Sequence, residues 1–202
     1  TRPFNEQAKN LIAPSTDHLS IENIEIFKKN NYWNYLKILN PVGQLKEKDS
    51  LLEAKLHFDE MKKNEVIKKD EVNHIYIYQI ELSDHKQLGF LSLALLDDYK
   101  NNKIKAHEKI YDHRMKERAD QMDNINTQIG PIYVSYPHLS EIEDLLYSYI
   151  KEKNLNFKIP DYDFESFDKS IHKLWCIKDN EFHNKLINKF KSIESLYIAD
   201  GH

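Results

Sequence analysis

The run His74-Ile-Tyr-Ile-Tyr-Gln-Ile-Glu81 alternates in character and is rich in β-branched and aromatic residues. A period of two with that composition makes a strand and fits a helix badly. Leu88-Gly-Phe-Leu-Ser-Leu-Ala-Leu-Leu96 follows after the turn-like Ser83-Asp84-His85, so the two runs predict a hairpin. Helical patterns and further strands lie on both sides of it. Hairpins mixed with helices predict an α+β fold, a mixed sheet with flanking helices.

The flanks supply the other elements. Thr1 to Asp17 reads as extended or loop. Ser20, followed by Glu22 and Asn23, starts a helix from about Ile21 to Asn30 with Ile21, Ile24 and Phe27 on one face. Tyr32 to Leu39 reads as a short strand closed by Pro41. Asp49 or Ser50 caps a helix to about Asn64, with Leu52, Leu56 and Met61 near one face. Asp112 caps a helix to about Asn126, and Pro131 to Tyr136 is a strand with proline at its first position. Ser140-Glu-Ile-Glu143 fits a capping box for a helix to about Asn154. Asn156 to Ile159 and Ser170 to Ile177 read as strands, Asp179 caps a helix to about Ser192, and Leu196 to Ala199 is an apolar strand expected to be buried and paired. The 202 residues read as one α+β region, with a sub-boundary near 98–105. The chain starts with Thr1 and stops inside a strand–turn pattern, as expected of part of a longer chain.

Composition narrows the function classes. The formal net charge is −4, and there is no basic helix–turn–helix, so DNA binding is not expected. No run approaches the length of a membrane span. Cys176 is the single cysteine, which excludes a disulfide framework and fits a reducing, cytoplasmic compartment. It reads as a core thiol between Trp175 and Ile177. Zinc fits poorly, because there is no His-Glu-x-x-His and no second cysteine; no metal ligands are assigned. Walker, Rossmann and nucleophile-elbow glycine patterns are absent.

Two stretches could carry chemistry. The last, Leu196-Tyr-Ile-Ala-Asp-Gly-His202, ends a strand in a carboxylate, a glycine and an imidazole. Gly201 can adopt backbone angles that expose N–H groups to an anion; an Asp-Gly hairpin turn is the competing reading. The other runs from Lys105 to Asp120 and holds His107, Glu108, Arg114 and Arg118. Arg114 and Arg118 share one helix face and could clamp phosphate or carboxylate oxygens. A solvated helix with Glu/Arg pairs is the alternative. His107-Glu108 could supply a general base or a metal ligand, or could be a plain surface loop.

The order of these stretches resembles a bacterial family described only as domain of unknown function 1015. The matching segments are Leu11 to Asp17, the hairpin with Gly89-Phe90, His107-Glu108 through Arg118, Gly130 to Tyr136, His172 to Ile177, and Tyr197 to His202. Ser15-Thr16 stands where that family commonly has Pro-Tyr, and the His-Arg that usually follows its last motif is not in this sequence.

The family in turn is similar to the ParB and sulfiredoxin-like superfamily, which includes free-serine kinases. That resemblance implies a nucleotide site, with ATP or ADP and Mg²⁺. Glu108 and Asp200 would be its catalytic carboxylates, and His107, Arg114, Arg118, Gly201 and His202 would line the phosphates. It implies a kinase acting on a small hydroxyl compound such as free serine. A non-enzymatic nucleotide switch and a ligand-free interaction module are the competing expectations. On the kinase reading, Glu108 and Asp200 face one cleft. The sequence assigns no oligomeric state.

Overall fold

Apolar side chains that recur along helices and alternate along strands underlie the seventeen elements found among the described residues of a computed structural model. It describes residues 2–4, 8–13, 19–39, 47–151 and 158–201. In chain order these are β1 (Arg2–Pro3), α1 (Ala8–Leu11), α2 (Ile21–Asn30), α3 (Leu36–Leu39), α4 (Glu47–Lys63), β2 (Ile67–Lys68), β3 (Ile75–Leu82), β4 (His85–Leu91), α5 (Leu96–Lys100), β5 (Ile104–Lys105), α6 (Asp112–Ile125), β6 (Tyr133–Ser135), α7 (Ser140–Ile150), β7 (Tyr162–Glu165), β8 (Ile171–Ile177), α8 (Asn180–Lys191) and β9 (Leu196–Asp200). The fold is mixed α+β. Contacts group the chain into two compact units, Thr1–Glu71 with Ile110–Ile129, and Val72–Lys109 with Gly130–His202.

The first unit is helical. Ser20 caps α2 by accepting from the Asn23 N–H. Phe58 and Met61 of α4 pack with Ile38 of α3 and Ile125 of α6 into a core that also takes Leu11, Val66, Ile67 and Ile129. β1 and β2 form a two-stranded antiparallel ribbon. Arg2 closes it by donating to the Asp70 carboxylate at 2.6 Å.

The second unit carries the predicted hairpin. β3 and β4 pair antiparallel, and β3 also pairs with β8, which pairs with β7, giving the order β4-β3-β8-β7. Register puts Ile77, Phe90 and Trp175 on one face. That face meets Ile142, Leu146 and Ile150 of α7 and Phe182 and Leu186 of α8. A separate three-stranded sheet has the order β5-β9-β6.

Several expectations need correction. Tyr32 to Leu39 is a turn and the short helix α3, because Asn34 accepts from the Leu36 N–H and fixes the turn. Leu52 and Leu56 are exposed and Phe58 is buried instead, so the buried stripe of α4 is rotated from the expected one. Asp112 is the first residue inside α6, and Tyr111 holds the cap position. Ser140 likewise lies inside α7 without a capping-box bond, its cap position being Leu139. Asp179 does cap α8, accepting from the N–H groups of Glu181 and Phe182. Residues 92–95, expected in the second hairpin strand, lie outside β4, and Leu93 is almost fully exposed. Ile159 is exposed and outside any strand. Residues 14–17, Pro41, Asn154 and Asn156 lie outside the described residues.

Ile77 is 0 % exposed at the centre of the second unit's core. Ile77→Ala leaves a cavity where three elements meet, so denaturant unfolding is expected to show a loss of about 2–5 kcal/mol. A loss below about 1 kcal/mol would mean that this face is not the core.

Candidate functional site

The site is built on β9. Leu196 to Asp200 pairs parallel with β5 through Ile104↔Leu196 and Lys105↔Tyr197, and antiparallel with β6 on its other edge. Parallel strands finish at the same end of a sheet, so the chain beyond β5 and the chain beyond β9 leave together. Those segments are His107-Glu108 and Asp200-Gly201. β6 begins at that end, and Gly130-Pro131-Ile132 leads into it. Ligands in sheets with parallel strands commonly sit outside such carboxyl ends.

His107 ties the two exits together, its Nδ1 lying 2.7 Å from the Ile198 carbonyl oxygen. A carbonyl can only accept, so Nδ1 carries a proton and donates it to Ile198. Gly201 has φ +75°. A Cβ there would stand 3.1 Å from the Pro131 carbonyl oxygen and 3.3 Å from the Ile132 Cα. Glycine is thus required twice, for its backbone angle and for the close approach.

A β-bulge sets the direction of Asp200. Ser135 and Val134 pair with Tyr197 and Ile198, but Tyr133 pairs with Asp200, so Ala199 is the extra residue. Strict alternation would put Asp200 on the face of the buried Ile198. The bulge turns it outward, and Asp200 is exposed. The Gly201 N–H donates to Asp200 Oδ1 at 2.8 Å. The expectation that the whole of Leu196–Ala199 is buried is corrected here. The strand is paired along both edges, yet Tyr197 is 43 % exposed and only Ile198 is buried.

The other sequence-selected residues fall as follows. Glu108 is exposed beside His107 at the strand-end exit. Arg114 and Arg118 are exposed on α6 in the first unit, where Arg118 donates to Gln121 Oε1 at 3.0 Å. His202 lies outside the described residues. Lys105, not singled out from the sequence, places its ammonium 5.7 Å from the centre of the Tyr197 ring. It adds a cation to the same strands, legible only once the β5–β9 pairing is known. Among the described residues no group of three or more His, Cys, Asp or Glu could hold a metal ion.

Sequence reading missed a second polar cluster, in the other sheet of this unit. Ser170, 1 % exposed, bonds Asp168 Oδ1 with its hydroxyl and lies 2.7 Å from His172 Nε2. His172 Nδ1 lies 2.6 Å from the Tyr78 hydroxyl. The Ser170 hydroxyl donates to the carboxylate. His172 Nε2–H then donates to Ser170, and Tyr78 donates to Nδ1. Burial holds the pKa of the imidazole below the ordinary 6.5, against the Asp168 carboxylate, which raises it. The hydrogen bond from Ser170 lowers that of Asp168.

Among the described residues no helix is long and apolar enough to cross a membrane. The fold and the strand-end exit define a mixed α+β protein with a loop cluster at the carboxyl end of paired parallel strands. The chain belongs to the family of proteins of unknown function DUF1015, whose model matches residues 1–202. No curated protein and no solved structure matches the chain.

The cluster yields a pH prediction. A histidine whose folded pKa lies below its unfolded value leaves the unfolded chain binding more protons, so stability falls as pH drops through that window. Wild-type stability is expected to decline from about pH 7 to pH 5, with the decline flattened in His172→Gln. Urea unfolding at several pH values measures this, and equal slopes in both proteins would show that His172 does not titrate with folding.

Proposed function

We propose that the strand-end site of the second unit binds a nucleotide with Mg²⁺, and that the protein is a kinase acting on a small hydroxyl compound such as free serine. The observation that carries this reading is the joint exit of His107-Glu108 and Asp200-Gly201 from parallel β5 and β9, with the Ala199 bulge turning Asp200 outward. Phosphoryl transfer asks mainly for positioning and charge neutralisation, and this exit gathers two carboxylates, an oriented imidazole and a lysine. The resemblance to ParB and sulfiredoxin-like proteins supports the same roles and a related fold.

Bound Mg²⁺ would neutralise the phosphate charge. Asp200 would help to hold it, and Glu108 would take the proton from the attacking hydroxyl as the terminal phosphoryl passes to that oxygen and the nucleoside diphosphate leaves. His107, held by the Ile198 carbonyl, presents Nε2 toward the same region. Lys105 would meet the phosphates, while the Gly201 N–H is engaged by Asp200 Oδ1.

Glu108→Gln keeps the side chain's size and removes its charge. Nucleotide-dependent phosphorylation of a panel of small hydroxyl compounds, free serine included, is expected to fall roughly 100-fold or more. Thermal melting should not move, because an exposed loop carboxylate rarely supports a fold. Asp200→Asn should show the same separation. Undiminished activity in Glu108→Gln would remove it from the chemistry. Tight nucleotide binding without turnover in the wild type would replace the kinase by a nucleotide-binding switch.

A further inference from the structure

The first unit holds a cleft of about 480 Å³ that the strand-end site does not use. One wall is α4. Glu53, Leu56, His57 and Glu60 line the cleft and fall three, one and three residues apart, which places them on one helix face. The facing wall is Lys28 from the last turn of α2, Tyr32 from the turn, and Lys37 from α3.

His57 is 9 % exposed, and its Nε2 is buried with no hydrogen-bond partner. A buried N–H without an acceptor is rarer and costlier than an under-used acceptor. The ring proton therefore sits on Nδ1, the nitrogen that is not sealed, and the ring offers a donor on the cleft side. Burial first and the Lys37 ammonium second hold its pKa below the ordinary value, against the Glu60 carboxylate, which raises it.

The charged groups are unevenly matched. Lys28 pairs with Glu25 at 2.9 Å. Lys37 has the Tyr32 ring beneath its ammonium, 4.3 Å from the ring centre, and no ion pair among the described residues; burial lowers its pKa, against the Glu60 carboxylate, which raises it. Glu60 accepts the Tyr32 hydroxyl through Oε2 at 2.7 Å, which leaves Oε1 for another donor. An ammonium and an imidazole N–H thus stand near a carboxylate oxygen. His57 and Glu60 are three residues apart on the helix, about 4.5 Å along its axis.

We propose that this cleft binds a small zwitterion of the free amino-acid class. The ligand's carboxylate would meet Lys37 and His57 Nδ1–H, its ammonium would meet Glu60, and its side chain would run along Leu56 toward Glu53. The lining itself decides against simpler ligands. The two lysines disfavour a plain cation, the two glutamates disfavour a plain anion, and a molecule with both charges on adjacent carbons satisfies each wall. The cleft volume lies within the range of small-molecule sites. The proposal rests on the first unit alone and is independent of the strand-end reading.

The experiment follows the His57 ring resonances of the intact protein by NMR. Glycine, L-alanine, L-leucine and L-lysine are titrated to millimolar concentration, with acetate and methylammonium as half-ligand probes. At least one amino acid is expected to move the His57 signals and saturate, while neither half-ligand does. Lys37→Met and Glu60→Gln should each weaken that binding roughly tenfold or more, since each removes a charge-assisted contact. The proposal is overturned if no amino acid moves the His57 signals, if acetate moves them as strongly, or if both variants bind as the wild type does.

Discussion

Strand β9 has neighbours on both edges, and they run in opposite directions. Its parallel partner β5 fixes where the chain exits, and its antiparallel partner β6 fixes which way the last side chains turn. A slip of one residue would exchange the buried Ile198 for its exposed neighbours. Burial of Ile198 and of Ile104, each 7 % exposed, therefore holds the register that puts Asp200 and Gly201 beside the residues after β5. Gly201 pins the end of the strand, because its backbone passes so close to Pro131 and Ile132 that a side chain would have to displace main-chain atoms.

The two sheets of the second unit show different relations between sequence and structure. The four-stranded sheet buries one face under α7 and α8, and its centre is an apolar cluster around Ile77 and Ile177. Its other face carries the hydrogen-bonded row from Tyr78 through His172 and Ser170 to Asp168. Each group in that row has its donor or acceptor met by the next. That satisfaction is what lets a serine be almost wholly buried beside a strand end. The three-stranded sheet has shorter strands and more exposed residues. It contributes less core and instead presents chain ends.

Much of this was legible in the sequence where the signal is local. The alternation from His74 to Glu81 gave β3, Asp179 gave the start of α8, and the apolar run from Leu196 gave β9. Local rules failed where the tertiary setting decides. Tyr32 to Leu39 alternates like a strand, but the Asn34 side chain fixes a turn and α3 follows. Ser140 offers a capping-box pattern, but the helix begins one residue earlier than that bond requires. For the candidate site, His107, Glu108, Asp200 and Gly201 were visible as residues. Their joint exit depends on a parallel pairing across more than ninety positions, and the outward turn of Asp200 depends on a bulge. Neither leaves a mark in the local sequence. The cleft of the first unit was hidden for a similar reason. His57 and Glu60 look like ordinary helix-surface residues until Tyr32 and Lys37 are set across from them.

The central claim is that the residues following β5 and β9 emerge side by side. Glu108→Cys combined with Asp200→Cys tests it in the intact protein, since the native Cys176 is buried. A short bifunctional maleimide is expected to join the two positions within one chain. Mass spectrometry of the proteolysed protein should then show residues 106–109 linked to residues 196–201, as the β5–β9 register requires. Efficient labelling of both cysteines without that link would contradict the parallel pairing and, with it, the shared site.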